Sequence, residues 1–363
     1  MRILEVLTGS LSYDGISIVA MNILKHMSGY GVNVDFVVQA NSEEKLIQQV
    51  KDSGSDVIVM KNRMKNPYKY VKNLKNVLNS KSYDIMHVHG NSATMSLELM
   101  AAKDSSTVKI IHSHNTTCKF KMIDKMLRRY MYKNTDYFLA CGTEAGKWLC
   151  GEHDFEVIKN GIDLEQFLFC SENRRKMREQ LNYKEEDVVI GHVGVFNEQK
   201  NQLFLIDVFD KLVKQGNKNY KLLLVGQGEL LEAAQKKTAD LGIADKVLFY
   251  GTTDKVHELL SVMDVFAMPS LYEGLPLSLV EAQAAGLPII ASDKITPEIN
   301  VTERIIFFDI EDAEVWASAI EKIPIEDRVE LMNKVRLDLT NAGYDLAAEM
   351  KELYSIYQNY ASI

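Results

Sequence analysis

The chain has 363 residues, 46% of them hydrophobic and 25% charged, which is ordinary globular composition with material for two cores. The net charge of −8 is uneven: residues 1–165 carry 21 basic and 18 acidic side chains, residues 166–363 carry 21 and 32. An acidic second half argues against nucleic acid as a partner, and six prolines with no apolar run of about 18 residues argue against a long disordered linker or a spanning helix.

The opening Met-Arg-Ile-Leu-Glu-Val-Leu-Thr-Gly reads as a strand and a turn rather than a signal peptide. Cys118, Cys141, Cys150 and Cys170 lack metal-ligand or redox spacing, so a cytoplasmic location is expected. Apolar runs predict strands at Ile3–Leu7, Val34–Val38, Asp56–Val59, Ile85–Val88, Lys109–His112, Tyr137–Ala140 and Phe155–Ile158. A second series follows at Val188–Val193, Tyr220–Val225, Val247–Tyr250, Val265–Met268, Ile289–Ala291 and Ile305–Phe307. Helical patterns lie between them, among them Ile16–Ser28, Gln202–Gln215, Glu229–Leu241 and Val256–Val262. Such alternation implies parallel sheets with crossover helices. The polar stretch 165–187 is the expected break, giving domains 1–165 and 166–343, with a tyrosine-bearing helix over 344–363 returning to the first.

The chemistry concentrates between Met268 and Ile290. A buried strand ends near Pro269, and a loop with Tyr272, Glu273 and Gly274 follows. Pro276 is expected at the first helical position, where its missing N–H costs nothing, and the helix stops at Gly286. The loop therefore precedes a helix N-terminus at the carboxyl end of a parallel strand, where open α/β sheets bind ligands. The free N–H groups of Gly274, Leu275 and Leu277 suit a diphosphate. Glu281 is the sole charged side chain from Gly274 to Ser292. A buried carboxylate needs donors, either a Lys or Arg from elsewhere or the paired hydroxyls of a ribose. Glu273 alone reads equally as a solvated loop residue.

Together, Ser270-x-Tyr272-Glu273-Gly274-Leu275-Pro276 and Glu281-Ala-x-Ala-x-Gly286 resemble the signature of retaining family-4 glycosyltransferases with the GT-B fold. Asn160-Gly161-Ile162-Asp163, Gly191-His-Val-Gly194, Gln199-Lys200-Asn201, Leu222–Glu229 and Phe249–Thr252 extend the resemblance over nearly the whole chain. Ile111–Thr116 is similar to the branch that builds capsular polysaccharides and exopolysaccharides. The resemblance implies an α/β chain of two Rossmann-like domains facing across a cleft, the second binding a nucleotide sugar, with UDP favoured. It implies that Glu273 contacts the transferred sugar, Glu281 holds the ribose, Lys200 neutralises the diphosphate and Gly15 lets a first-domain loop approach it. His112 or His114 would face the sugar. It further implies front-face retaining transfer with no cofactor and no metal, to a sugar or lipid-linked oligosaccharide.

Two positions depart from the pattern. The family's usual Arg before the Lys is Val195 here, and its Gly-Gly loop is Asp14-Gly15. Both keep open a catalytically weak or inactive partner subunit. A nicotinamide-dependent oxidoreductase, suggested by Gly226-Gln-Gly228 after a strand, and a sugar-nucleotide epimerase are further alternatives. Lys119–Lys133 holds six basic residues and one acid, with Phe120, Ile123, Leu127, Tyr130 and Met131 at helical spacing. Lys61–Lys75 adds six basic residues and no acid. Residues 119–133 thus read either as a peripheral contact with an anionic membrane, at the inner face of the cell membrane, or as a solvated helix whose apolar side is core.

Overall fold

A computed structural model describes residues 1–273 and 275–361. The chain forms two compact units, one from Met1–Gly161 with the segment starting at Leu346, the other from Ile162–Asp345.

The first unit has a parallel sheet of β1 Arg2–Leu7, β2 Asn33–Gln39, β3 Val57–Met60, β4 Ile85–Gly90, β5 Val108–Ser113, β6 Tyr137–Ala140 and β7 Glu156–Val157. Its order is β3-β2-β1-β4-β5-β6-β7. Side chains alternate between two cores, which is why the strands are apolar throughout. Ile3 and Leu7 join Phe36 and Ile85 on one face; Leu4 and Val6 join Val37 and Met86 on the other. Helix Leu346–Ala361 lies in the first of these cores, where Leu353 and Tyr357 are fully buried beside Ile23 of helix Gly15–Met27. Each such apolar side chain contributes about 1.5–3 kcal/mol, so packing holds this helix in place.

The second unit has β8 Val188–Val193, β9 Tyr220–Val225, β10 Val247–Gly251, β11 Val265–Met268, β12 Ile289–Ser292 and β13 Ile305–Phe308, in the order β10-β9-β8-β11-β12-β13. Strands β8 and β11 are direct neighbours, with Val265 opposite Ile190. The strand order reverses between them, so the loops leaving their carboxyl ends flank the crevice where doubly wound sheets bind ligands. In the first unit the same reversal falls between β1 and β4.

The expected strands are present, with small changes at their ends. The last strand of the first unit shrinks to Glu156–Val157, and the third starts at Val57, because the Asp56 N–H donates to the Asp35 carboxylate at 2.9 Å instead of to a strand carbonyl. The polar stretch 165–187 folds into the second unit as helix Ser171–Gln180. Its Arg174 and Arg178 reach Asp264 at 2.7 and 2.6 Å, and the same carboxylate accepts from the Val189 N–H. Pro276 is the N-cap of helix Leu277–Ala284 rather than its first residue, because its ψ of 117° is extended. Beyond the helix Gly286 has φ +67°, which turns the chain so that the Leu287 N–H donates to the Ala282 carbonyl. Among the described residues no helix is long and apolar enough to cross a membrane.

Candidate active site

The topology of the second unit brings Lys200 and Glu273 together. Lys200 stands in the loop after β8 and Glu273 in the loop after β11, and their side chains pair at 2.6 Å. Three contacts stitch the loops: the Leu271 N–H donates to the Gln199 carbonyl, the Gln199 amide to the Tyr272 carbonyl, and the Asn201 amide to the Pro269 carbonyl. Asn201 adopts a left-handed φ of +54°, which short polar side chains tolerate best. Glu273 is therefore not solvated: its side chain is 8% exposed and its charge is met by Lys200. In this state the lysine is spent on the carboxylate. An anion that recruits the ammonium must first break that pair. Gly274 lies outside the described residues. Leu275 is half-buried beside the N-terminus of helix Leu277–Ala284, whose first N–H groups have no intrahelical partner.

Glu281 projects from that helix between the buried Val280 and Ala282. No described donor reaches its carboxylate, so the expected alternative of a Lys or Arg partner fails within this unit. Burial alone pushes its pKa up to about 7. A carboxylate in that condition gains from any pair of hydroxyl donors delivered to it. Behind the loops, burial holds His192 down at about 4, and its ring bonds the Ala267 carbonyl at 2.8 Å.

Val195 is 42% exposed and offers no charge. Its carbonyl is held by the Gln202 amide at 2.9 Å. Gly226, with φ +139°, has no room for a Cβ because the Gly194 carbonyl occupies that space. The glycine serves this close approach of two loops, which removes the main support for a dinucleotide fingerprint there.

In the first unit Asp14 caps helix Gly15–Met27. Its carboxylate accepts from the Ser17 N–H at 2.9 Å and the Ser12 hydroxyl at 2.7 Å. The extra acid is thus explained by capping. Gly15 is exposed, with open space over its α-carbon. His112 and His114 are buried at the carboxyl end of β5. Sequence reasoning missed what stands behind them: Glu5, His87, His89 and Tyr357, all fully buried. The two-residue spacing of His87 and His89, and of His112 and His114, was the available signal, because it puts all four on one face of neighbouring strands. His87, His89 and His112 have ligand atoms within 4.8 Å of one another, close enough to be tested as a cation site. Apart from His112 Nε2, their nitrogens are already spent on each other, on His114, on Glu5 and on Tyr357, so the group forms a hydrogen-bonded network.

Residues 121–134 form a helix in which only Asp124 and Met131 are buried. Met122 and Met126 are 81% and 78% exposed, and Phe120 and Ile123 are exposed beside Lys119, Lys121, Lys125 and Arg129. The apolar side is therefore not all core. In the 61–75 stretch Arg63 is no surface charge: it is buried and paired with Glu98 at 2.7 Å. Lys75 pairs with Asp104 at 2.6 Å.

Comparison with known proteins shows the family and the fold. Residues 13–166 match the family described as Glycosyltransferase Family 4, and residues 173–344 that described as Glycosyl transferases group 1. A Bacillus subtilis protein that carries the name glycosyltransferase EpsF is 31% identical over 98% of this chain and 96% of its own length. An Escherichia coli UDP-Gal:alpha-D-GlcNAc-diphosphoundecaprenol alpha-1,3-galactosyltransferase is 26% identical over 77% of this chain and 76% of its own. The fold is similar to Anabaena HepE in complex with UDP and glucose, with TM-score 0.76, 16% identity and coverage of 99% and 100% of the two chains.

Proposed function

The chain belongs to glycosyltransferase family 4, with the GT-B fold and in the branch that builds capsular polysaccharides and exopolysaccharides, and from that premise we propose a specific reaction. It moves a hexose-type sugar from UDP to a lipid-linked saccharide, with retention at the anomeric carbon. The observation that carries this reading is the Lys200–Glu273 pair at the reversal of strand order, with unpartnered Glu281 one turn into the helix that follows.

The residues divide the work. Glu281 accepts from the ribose hydroxyls. The diphosphate meets the free N–H groups at the start of helix Leu277–Ala284 and draws Lys200 away from Glu273. Glu273, released, turns to the transferred sugar. As the anomeric C–O bond breaks, charge develops on the leaving phosphate, and Lys200 and the helix N-terminus stabilise it there more than in the ground state. The acceptor hydroxyl attacks from the same face and its proton passes to the leaving phosphate oxygen, a route adopted by analogy with the family. The neutralising charge comes from the lysine and backbone dipoles, so the reading needs no metal and no cofactor. His112 and His114 contribute polar contacts to the sugar.

UDP is favoured by the E. coli relative's donor and by the UDP held by HepE. The diphosphoundecaprenol acceptor of the same relative supports a lipid-linked acceptor here. The exposed methionines and lysines of residues 119–133 fit a peripheral contact with an anionic inner leaflet, where such an acceptor resides. A panel of UDP-, GDP- and ADP-sugars with diphosphoundecaprenol-linked saccharides tests this. Release of UDP with formation of an α-linked product from a UDP-hexose is expected. Turnover with GDP- or ADP-sugars alone, or a β-linked product, would contradict it. The uncharged, exposed Val195 favours one second reading, a weakly active partner subunit, which predicts donor binding without turnover.

A further inference from the structure

Six buried side chains from four elements meet on one face of the first sheet. They are Glu5 of β1, His87 and His89 of β4, His112 of β5 with His114 directly after that strand, and Tyr357 of helix Leu346–Ala361. The register makes the meeting unavoidable. Glu5 stands opposite His87, His89 stands opposite His112, and the two-residue period puts His114 on the same face.

Proton positions follow from the contacts. Glu5 is pushed up by burial, but the neighbouring His87 and His89 more than offset this and hold it at about 2. The carboxylate is therefore ionised and can only accept. His89 Nε2 lies 2.5 Å from Glu5 Oε2 and must carry a proton to donate. Burial, with His87 nearby, holds His89 below its ordinary value, against the pull of Glu5, so the ring is neutral and its Nδ1 is a bare acceptor. His114 Nε2 lies 2.8 Å from that Nδ1 and must donate in turn. Burial, with His89 and His87 nearby, keeps His114 neutral as well. Its Nδ1 is left as a lone pair, buried and without a partner.

The other arm is not fixed in this way. Tyr357 Oη lies 2.8 Å from His87 Nδ1 and 3.4 Å from Glu5 Oε1, so its proton can go to either. Each choice sets an opposite direction for the 3.2 Å contact between His87 Nε2 and His112 Nδ1. His112 Nε2, also unpartnered, can be donor or acceptor.

We infer that Glu5, acting through His89, is a positioning residue that holds His114 as its Nε2–H tautomer, so that Nδ1 accepts a hydrogen bond from a hydroxyl of the transferred sugar. The sugar contact rests on the reading of His114 given under Proposed function. Tautomer control rests on contacts within the first unit alone.

Long-range nitrogen–proton NMR of histidine-labelled full-length protein reads the tautomer directly. Wild type is expected to show His114 with a protonated Nε2 and a bare Nδ1, neutral down to low pH. A protonated Nδ1, or an equal mixture, would overturn the inference without any variant having to fold. In Glu5→Gln an amide can donate to His89 and reverse the chain, so His114 should lose its single tautomer. Its kcat should fall roughly tenfold or more with donor KM little changed. Tyr357→Phe should leave the His114 tautomer as in wild type, because Tyr357 meets Glu5 only at Oε1 and the Oε2–His89 contact stays in place. Should Glu5→Gln not fold, Glu5→Asp keeps the carboxylate and should keep both the tautomer and most of kcat. Unchanged kcat in a Glu5→Gln protein whose tautomer has shifted would refute the positioning role. Full transfer by His114→Ala would remove the sugar contact while leaving the tautomer measurement standing, so the two failures are distinguishable.

Discussion

Glu281→Gln keeps the shape of the side chain and removes its charge. The wild-type carboxyl is pushed by burial from 4.5 to about 7, so the folded unit keeps a proton there that the unfolded chain has released. The stability this contributes is fully present below pH 4.5 and is lost as the pH rises through about 7. Each tenfold difference in proton affinity is worth about 1.4 kcal/mol, which sets a ceiling of about 3 kcal/mol. The residue is part-exposed, and solvent trims this to about 1–2 kcal/mol. A ribose diol reverses the preference, because its hydroxyls donate to the ionised form. Binding of UDP should therefore release a proton and tighten about tenfold between pH 6 and pH 8. Thermal unfolding and titration calorimetry across that range measure both effects. Wild type should lose Tm relative to Glu281→Gln as the pH rises, and its UDP affinity should climb over the same interval. The variant should bind UDP more weakly and without that pH dependence. Parallel stability curves, or equal UDP affinity with equal slope, would refute the role given to Glu281.

Lys200→Met should lower kcat/KM by about 100-fold or more and cost the second unit about 1–3 kcal/mol, because the Glu273 carboxylate loses its partner. Adding Glu273→Gln should recover most of the stability, read by denaturation, and none of the transfer. Val195→Arg should lower donor KM or raise kcat, since the exposed site accepts the side chain without repacking; no change in either would sink that expectation. Asp14→Ala should cost about 1 kcal/mol by chemical denaturation through the lost cap, whereas Asp14→Asn should cost little and leave donor KM as it was. The triple variant Lys121→Glu, Lys125→Glu and Arg129→Glu should abolish low-salt co-sedimentation with anionic vesicles, and retained binding would end the membrane proposal.

The strands were readable because parallel strands covered on both faces are apolar throughout, as in Val188–Val193 and Tyr220–Val225. Glu281 stood out because a lone charge in an apolar helix demands an explanation. The Lys200–Glu273 pair was not readable, since nothing local says which side chain 73 positions away will meet a lysine. That needed the adjacency of β8 and β11. Arg63 looked like one more surface cation in a lysine-rich run. The clue to its burial was Glu98, a carboxylate in an apolar helix that needed a cation. Asp14 departs from the family's Gly-Gly, and only its contact with the Ser17 N–H showed that it serves as a cap. Glu5 was hidden inside an ordinary apolar strand, and only the cross-strand register ties it to the histidines.

The most direct test of the account is a crystal structure with UDP. It should place the ribose hydroxyls within about 2.6–3.0 Å of the Glu281 carboxylate and the diphosphate at the start of helix Leu277–Ala284. Lys200 should have left Glu273 for a phosphate oxygen. UDP bound elsewhere, or bound there with the 2.6 Å Lys200–Glu273 pair intact, would contradict it.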